Sequence, residues 1–268
     1  MKKIALLPLV LFLALSGFAA AKYITIATSV EECFTETGQC AMNITVANYG
    51  DEPASQTRIS VVSDIVSGDE ISQKILYPNE RIYGLINVDP KAEMIPGKYP
   101  VFVMVEYEDA NSYPFTAISP AFFVYKTQTS SKVKGVASEI TISEKESGKI
   151  SVRLMNYDDA PHNVSIGLML SRELKFERGK KTVVMEANGD GTVEFDVAHF
   201  SALAGSAYPA FVSIEYDSGG LHYVYFVRGL VKISKSEGIF SNQAIGVIIA
   251  LLAAAVAYNL YFKRGKSA

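Results

Sequence analysis

The stretch YPVFVMVEY, residues 99–107, decides the fold, because it returns almost unchanged as YPAFVSIEY, residues 208–216. In the first copy the apolar residues Val101, Val103 and Val105 occupy alternate positions, and the second copy keeps this alternation. A period of two is typical of a β-strand. Each copy follows a glycine turn and runs into an acidic turn. The sequence therefore predicts a compact β unit that is used twice.

A second pair of landmarks supports the duplication. The turns NYGDEP, residues 48–53, and NYDDAP, residues 156–161, each follow a strand of alternating pattern and lie 108 residues apart, while the YPxFV strands lie 109 residues apart. Two landmarks at nearly one spacing indicate an internal repeat with a single residue inserted between them. Each unit would hold about 100 residues, which is a common domain size.

Short alternating segments fill the rest of both units. They predict about seven strands in each, separated by turns, which is typical of an antiparallel β-sandwich. We predict one sandwich over residues 22–128, called module 1, and a second over residues 135–235, called module 2. The polar stretch TQTSSKVKG, residues 127–135, marks the boundary between them. The predicted fold class is all-β.

The composition argues against several classes of function. The net charge is -3, with 25 basic residues offset by 28 acidic ones, so no basic surface for nucleic acid is indicated. Three histidines, two cysteines and no tryptophan supply few ligands for a metal centre and no tryptophan platform for sugars. We expect no cofactor, no metal ion and no nucleic-acid partner.

The first 21 residues have the three parts of a secretory signal peptide. Lys2 and Lys3 precede an apolar run over residues 4–15, and small residues follow up to Ala21. The apolar run is too short to span a hydrocarbon layer of about 30 Å comfortably, which argues against an uncleaved membrane anchor. We predict cleavage after Ala21 and export of the chain.

The carboxyl end has the pattern of a membrane-spanning helix. Residues 244–262 carry no charge, and Lys263, Arg264 and Lys266 follow them. Because basic flanks stay on the cytoplasmic side, we predict a transmembrane helix over residues 240–262 and a cytoplasmic tail over residues 263–268. Both modules would then lie outside a cell membrane that the chain crosses once.

Small residues recur every four positions in this apolar segment, at Gly246, Ala250 and Ala254. They would line one stripe of a helix and let a second helix approach closely. The stripe predicts a helix–helix contact, including one between two copies of this chain. The alternative is that the helix only anchors the protein, since alanine is common in such helices.

Cys33 and Cys40 flank the short stretch FTETGQ. An extracytoplasmic location favours a disulfide between them, which would close a hairpin and stabilise the fold by about 2 kcal/mol. A pair of free thiols is the alternative. A metal site is a weaker one, because no second pair of ligands has a suitable spacing.

Three motifs together carry a resemblance to a known group of proteins: an N-Y-G-D-x-P turn at residues 48–53, a P-G-x-Y turn at residues 96–99 and a V-x-V-x-Y-x-D strand at residues 103–109. They resemble the immunoglobulin-like surface repeats of bacteria and archaea, including CARDB repeats and S-layer-associated tandem domains. The resemblance spans residues 24–234 and implies two tandem immunoglobulin-like β-sandwiches. It also implies an extracytoplasmic, non-catalytic spacer, adhesion module or partner-binding arm. The membrane helix and the presence of only two repeats depart from the long stalks of that group.

One segment begins like a calcium loop. The stretch EANGDGT, residues 186–192, echoes the start of such a loop, but the position that needs a bidentate glutamate is Val197 and the flanking segments are strands. We interpret the segment as a hairpin turn.

No catalytic residue is predicted. We expect His162, His199 and His222 to be surface histidines, because no nucleophile or metalloprotease motif accompanies them. Pairs of acidic residues could in principle catalyse glycosidic chemistry. They recur at equivalent turns, which indicates turn-forming roles instead. These pairs are Asp51 with Glu52, Glu108 with Asp109, and Asp158 with Asp159.

Two sequons for N-linked glycosylation occur, Asn43 in NIT and Asn163 in NVS. Asn43 is expected on the outer face of its strand, where a glycan has room.

The leading hypothesis is a non-enzymatic, single-pass surface protein whose two modules serve protein binding, adhesion or scaffolding. The chief alternative is an accessory subunit of a membrane complex such as an enzyme, a transporter or a translocation machine. A carbohydrate-binding or carbohydrate-acting protein is the third.

Overall fold

The computed structural model describes residues 22–91, 93–177 and 179–234. Their secondary structure consists of strands, which confirms the all-β prediction. The strands are β1 Ile26–Val30, β2 Cys33–Thr35, β3 Cys40–Asn48, β4 Ala54–Val62, β5 Val66–Gly68, β6 Ile71–Leu76, β7 Arg81–Pro90, β8 Gly97–Glu108, β9 Pro114–Tyr125, β10 Val133–Ala137, β11 Glu139–Ile142, β12 Gly148–Asn156, β13 His162–Met169, β14 Leu174–Phe176, β15 Lys180–Met185, β16 Asp190–His199, β17 Ala207–Ser218 and β18 Leu221–Ile233.

Several predicted features lie outside the described residues: the signal peptide over residues 1–21, the membrane helix over residues 240–262 with its stripe of Gly246, Ala250 and Ala254, and the tail over residues 263–268. Within the described part of the chain, no helix has the length and apolar character needed to cross a membrane.

The two modules have the same strand order. In module 1 one sheet runs β1-β3-β7-β5 and the other runs β2-β9-β8-β4-β6. In module 2 the strands run β10-β12-β16-β14 and β11-β18-β17-β13-β15, and a single pairing of His222 in β18 with Gly97 in β8 joins the larger sheets of the two modules into one of ten strands. Every strand of module 1 therefore has a counterpart nine strands later. Each described module has nine strands, not the seven or so that we expected. The first strand of each module is split in two, with one part in each sheet. A short additional strand follows β4 in module 1 and β13 in module 2.

The repeated stretches are β8 and β17, each inside the larger sheet of its module. Val101, Val103 and Val105 are fully buried and pack in the core of module 1 with residues of the opposite sheet such as Ile44 and Ile86. Their counterparts on β17 are equally buried in the core of module 2. Burial of these alternating apolar side chains holds the two sheets of each module together.

Cys33 and Cys40 form a disulfide, as predicted, but they do not close a hairpin. Cys33 begins β2, which pairs in parallel with β9, whereas Cys40 begins β3 in the other sheet. The hairpin prediction is therefore wrong, because β2 crosses to the partner sheet before the chain returns. The disulfide joins the two sheets at one edge of module 1.

The polar stretch at the module boundary is shorter than expected. Strand β9 ends at Tyr125 and β10 begins at Val133, so the last three residues of the predicted boundary, residues 133–135, already belong to module 2. The side chain of Thr129 donates a hydrogen bond of 2.8 Å to the backbone oxygen of His222, which fastens the connecting segment to β18.

The modules pack against each other through their repeated strands. Residues of β8 and β17 that point away from the two cores, Phe102 and Phe211, are buried together with Ile118 in a third apolar cluster. The Phe226 ring lies 5.3 Å from the Phe102 ring, centroid to centroid, and closes this cluster. Phe102 and Phe211 occupy the same position of the repeat, 109 residues apart. The modules therefore meet through equivalent faces.

Candidate binding cleft between the modules

A cleft of about 810 Å³ opens where the two packed faces diverge. The end of β4 and the strand β8 form its module 1 wall, while β13, β14, β15 and β17 form its module 2 wall. Its apolar lining includes Phe102, Met104, Met169, Phe176 and Phe200. Both the volume and the mixture of aromatic and polar lining are typical of ligand and partner sites.

Phe200 is the most exposed aromatic group of this cleft. It follows β16, and 70% of its surface remains accessible. A phenylalanine this exposed next to a buried apolar floor is the kind of residue that anchors a partner at an interface.

A chain of alternating charges crosses the cleft. The Lys180 ammonium lies 3.1 Å from the Asp64 carboxylate of module 1 and 3.1 Å from the Glu215 carboxylate of module 2. Burial lowers the pKa of Lys180, but the two carboxylates outweigh burial and raise it. Lys180 is therefore a charged bridge between the modules.

Glu215 is the buried end of this chain, with only 5% of its surface exposed. The Ser213 hydroxyl donates a hydrogen bond of 2.8 Å to it, and the His222 ring lies 3.6 Å away, just beyond hydrogen-bond distance. Burial raises the pKa of Glu215, but the neighbouring His222 and Lys180 groups outweigh burial and hold the pKa below its usual range. The carboxylate therefore stays ionised and holds its neighbours in place.

A second ion pair links the modules farther along β8. Arg172 of module 2 contacts the Glu106 carboxylate, which also lies 3.0 Å from Arg58 of module 1. Glu106 and Glu215 occupy the same position of the repeat. Each copy thus uses the outward glutamate of its YPxFVxxE stretch for a contact between the modules.

Glu173 is buried beside the cleft with one oxygen satisfied. Its Oε1 accepts a hydrogen bond of 2.6 Å from the backbone nitrogen of Thr116 in module 1. Its Oε2 and the Ser171 hydroxyl have no hydrogen-bond partner among the described residues. Burial raises the pKa of Glu173, and it also raises the pKa of the nearby Tyr107 phenol. Burial thus outweighs the hydrogen bond from Thr116 and disfavours the ionised form of the Glu173 carboxyl.

The histidines do not match the expectation of three surface residues. His162 is buried, with 5% exposed, and its Nε2 lies 3.0 Å from an Asp158 oxygen. His222 is largely buried at the module junction, where its ring stacks on Tyr99. Strand periodicity did not reveal the His222 contact, because Tyr99 lies in the other module, whereas His162 is in phase with the buried residues Val164 and Ile166 of β13. His199 ends β16, and its Nε2 lies 2.8 Å from the Ala202 backbone oxygen.

The acidic pairs serve turns and ion pairs. Asp109 accepts hydrogen bonds of 2.8 Å from the backbone nitrogens of Asn111 and Tyr113, which is an Asx turn. Asp158 pairs with Lys132 at 2.9 Å. Within residues 22–91, 93–177 and 179–234, no three His, Cys, Asp or Glu side chains gather as a metal site would need. The stretch EANGDGT joins β15 to β16, but these two strands lie in different sheets, so the hairpin interpretation is wrong: the segment is a turn that crosses from one sheet to the other.

The sequons lie away from the cleft. Asn43 is exposed on β3, opposite Leu85 of β7, and Asn163 is exposed on β13, opposite Val184 of β15. Sequence reasoning missed the cleft itself. The signal was present in part, since the near-continuous apolar run of residues 99–105 is typical of a strand buried on both faces.

Comparisons with known proteins leave the family open. No model of a protein family matches the chain, and no curated protein matches it. Among solved structures, a protein of unknown function from Porphyromonas gingivalis is 11% identical, with a TM-score of 0.34, over 77% of this chain and 99% of that one. The YadV chaperone is 13% identical, with a TM-score of 0.31, over 76% of this chain and 98% of its own.

A third solved structure is the α-2-macroglobulin of Escherichia coli, which is 10% identical with a TM-score of 0.32. The match covers 81% of this chain but only 22% of that much longer one. Likenesses at these identities and scores carry no argument about function.

Proposed function

We propose that this chain is a non-enzymatic, membrane-anchored surface protein whose two immunoglobulin-like modules bind a protein partner through the cleft between them. The observation that supports this is the cleft itself, whose walls come from both modules and whose floor contains Phe102, a member of the apolar cluster between the modules. Neither module alone forms the site. A duplicated module therefore gains a binding surface that a single copy lacks.

The lining of the cleft suits a protein segment. Interfaces between proteins have an apolar, aromatic-rich centre and a polar, charged rim. Here Phe102, Met104 and Met169 form the centre, while Asp64 and Lys175 lie exposed at the rim. The anchor of such an interface is an aromatic residue that inserts or is covered on binding, and Phe200 has the exposure for this role.

The ends of the sequence support the location. The signal-like residues 1–21 and the uncharged residues 244–262 followed by three basic residues favour a chain that is exported and then held in the membrane. The disulfide between Cys33 and Cys40 is consistent with an oxidising, extracytoplasmic compartment.

The proposal is tested by a variant that charges the rim of the cleft without touching the core. Phe200→Glu is matched by Val184→Glu, because Val184 is also exposed, on 67% of its surface, but lies outside the cleft. Full-length protein is extracted from its native membranes in mild detergent, and co-purifying proteins are quantified by mass spectrometry.

We expect one protein to be lost from the Phe200→Glu sample and retained in the wild type and in Val184→Glu. A partner recovered in amounts equal to those of the chain would identify an accessory subunit of a membrane complex. Identical sets of co-purifying proteins in all three samples would contradict the cleft as the binding site.

A further inference from the structure

The outer faces of the two modules differ at equivalent positions. The sheet that contains β3 and β7 in module 1 corresponds to the sheet that contains β12 and β16 in module 2. In module 2 the outward side chains are paired charges, with Arg153 3.1 Å from Asp190 and Lys149 3.0 Å from Glu194. Such a surface is well solvated and needs no cover.

Module 1 has an apolar face at the same place. Tyr83 and Leu85 point outward from β7, with 72% and 59% of their surfaces exposed. The registers of the two modules show that the positions are equivalent. In module 1 Tyr83 lies opposite Thr45, and Leu85 lies opposite Asn43. The corresponding pairs in module 2 are Thr192 with Arg153 and Glu194 with Ser151. The difference is therefore one of side chains on the same backbone pattern.

The sequon lies at the centre of this face. Asn43 and Thr45 are the first and third residues of Asn43-Ile44-Thr45, and both point outward from β3 while Ile44 is buried. Side chains directly opposite each other on neighbouring antiparallel strands have Cβ atoms about 5 Å apart. A group attached to Asn43 would therefore begin beside Leu85 and reach Tyr83. The equivalent residue in module 2 is Ser151, which begins no sequon.

We propose that Asn43 carries an N-linked glycan whose first sugar residues cover Tyr83 and Leu85. The apolar faces of sugar rings pack on aromatic and aliphatic side chains, so the glycan would remove this exposed surface from water. The inference rests on the extracytoplasmic location in the proposed function, since the modification takes place outside the cytoplasm.

The chemistry needs a donor and an enzyme from the membrane. The donor is an oligosaccharide joined through its first carbon to a polyprenyl phosphate or pyrophosphate, and the enzyme is an oligosaccharyl transferase. The Asn43 Nδ2 atom forms a bond to that carbon, the bond from the carbon to the phosphate oxygen breaks, and the lipid phosphate leaves. Nδ2 loses one proton, which balances the phosphate oxygen of the departing lipid. The amide has to leave the Glu31 carboxylate, which accepts its surface hydrogen bond of 2.8 Å.

The second sequon also places its asparagine beside an exposed apolar residue. Asn163 lies opposite Val184, which is also exposed. This site has one apolar neighbour in place of the pair beside Asn43, so it serves as an internal comparison in the same sample.

The test uses full-length protein purified from the membranes of cells that produce it naturally. Peptides that contain Asn43 and Asn163 are analysed by mass spectrometry. We expect sugar mass increments on the Asn43 peptide, their loss in Asn43→Gln and in Thr45→Ala, and their retention in Thr45→Ser. Thr45→Ala leaves the asparagine in place, so a loss in that variant identifies the sequon as the cause.

A second measurement tests the covering role. We expect Asn43→Gln to aggregate more than wild type, and we expect solubility to return when Tyr83→Thr and Leu85→Glu introduce the residue types of module 2. An unmodified Asn43 peptide overturns the proposal. If in that case Tyr83→Thr with Leu85→Glu also removes a bound protein, the face is a protein interface instead.

Labelling of intact cells with a membrane-impermeant amine reagent separates this proposal from the proposed function. Labelled module lysines with an unmodified Asn43 overturn the glycan alone. Unlabelled lysines overturn the extracytoplasmic location and the glycan with it.

Discussion

The Tyr99 ring of module 1 stacks on the His222 ring of module 2, with centroids 4.1 Å apart and planes 6° from parallel. Tyr99 opens the first repeated stretch, while His222 lies just after the turn that follows the second. Burial raises the pKa of the Tyr99 phenol to about 12. The pair therefore marks the junction of the modules, and the backbone beside it explains how the modules come so close.

That backbone contact depends on Gly97. Gly97 has a φ of 151° and pairs with His222, whose backbone nitrogen donates a hydrogen bond of 2.9 Å to the Pro96 oxygen. A Cβ atom on Gly97 would collide with the backbone of His222. We predict that Gly97→Ala lowers the free energy of unfolding by about 1–3 kcal/mol, because the modules are forced apart.

Gly219→Ala is the control for this variant. Gly219 also has a positive φ, but nothing lies within 4 Å of a Cβ atom placed there. Thermal unfolding of the two full-length variants in detergent compares them directly. If both variants lost the same free energy of unfolding, the backbone conformation alone, and not the contact with His222, would explain the need for glycine at position 97.

Glu173 makes the stability depend on pH in a defined direction. The pKa of the Glu173 carboxyl in the folded protein lies above its ordinary value of 4.5. Its favourable contribution to the free energy of unfolding is therefore complete below pH 4.5 and is lost as the pH rises through the raised pKa. We predict that Glu173→Gln is more stable than wild type at neutral pH and that this advantage disappears in acid.

The measurement is the free energy of unfolding of wild type minus that of the variant, as a function of pH. Exposed Glu177 provides the control substitution, Glu177→Gln. A difference that stays constant from acid to neutral pH would contradict the account of Glu173.

The asparagine that opens each repeated turn is a structural anchor. Asn156 is buried, and its amide nitrogen donates hydrogen bonds of 2.9 Å to the backbone oxygens of Ala160 and Glu186. Asn48 makes the equivalent bond to Glu52 at 2.8 Å, and its bond to Leu76 at 3.2 Å corresponds to one of 3.4 Å from Asn156 to Met185. Asn156→Asp would place a carboxylate oxygen against two carbonyl oxygens, so we predict a loss of at least about 1–3 kcal/mol.

Asn48→Asp should give a loss of similar size, because its bonds are those of the same turn in the other copy. Chemical denaturation of the full-length protein measures both. If neither substitution lowered the midpoint, the repeated N-Y-x-D turn would owe its form to something other than this asparagine.

The sequence predicted the features that depend on local pattern. Alternation identified the core residues Val101, Val103 and Val105, and the repeated asparagine turns identified the duplication. The disulfide followed from two cysteines close in sequence. The path of the chain around the disulfide could not be predicted, because β2 pairs with β9 about 90 positions away. Such a distant pairing leaves no periodic pattern in the sequence.

The cleft depends on a contact between two folded modules, which no window of sequence contains. The apolar residues between the core positions of β8, Phe102 among them, indicate a strand buried on both faces but do not say what covers the second face. Lys180 and Glu215 lie 35 residues apart within module 2, and Asp64 of module 1 joins them only after the modules dock. Their charges alone are those of ordinary surface residues.

The measurement that tests the cleft most directly is photo-crosslinking in native membranes from single positions. A photoreactive phenylalanine analogue replaces Phe200 at the rim of the cleft or Thr192 on the outer face of module 2. We predict that illumination joins one specific protein to the chain from position 200, with its attached residues identified by mass spectrometry, and joins none from position 192. No adduct from position 200, or the same adducts from both positions, would contradict the cleft as the binding site.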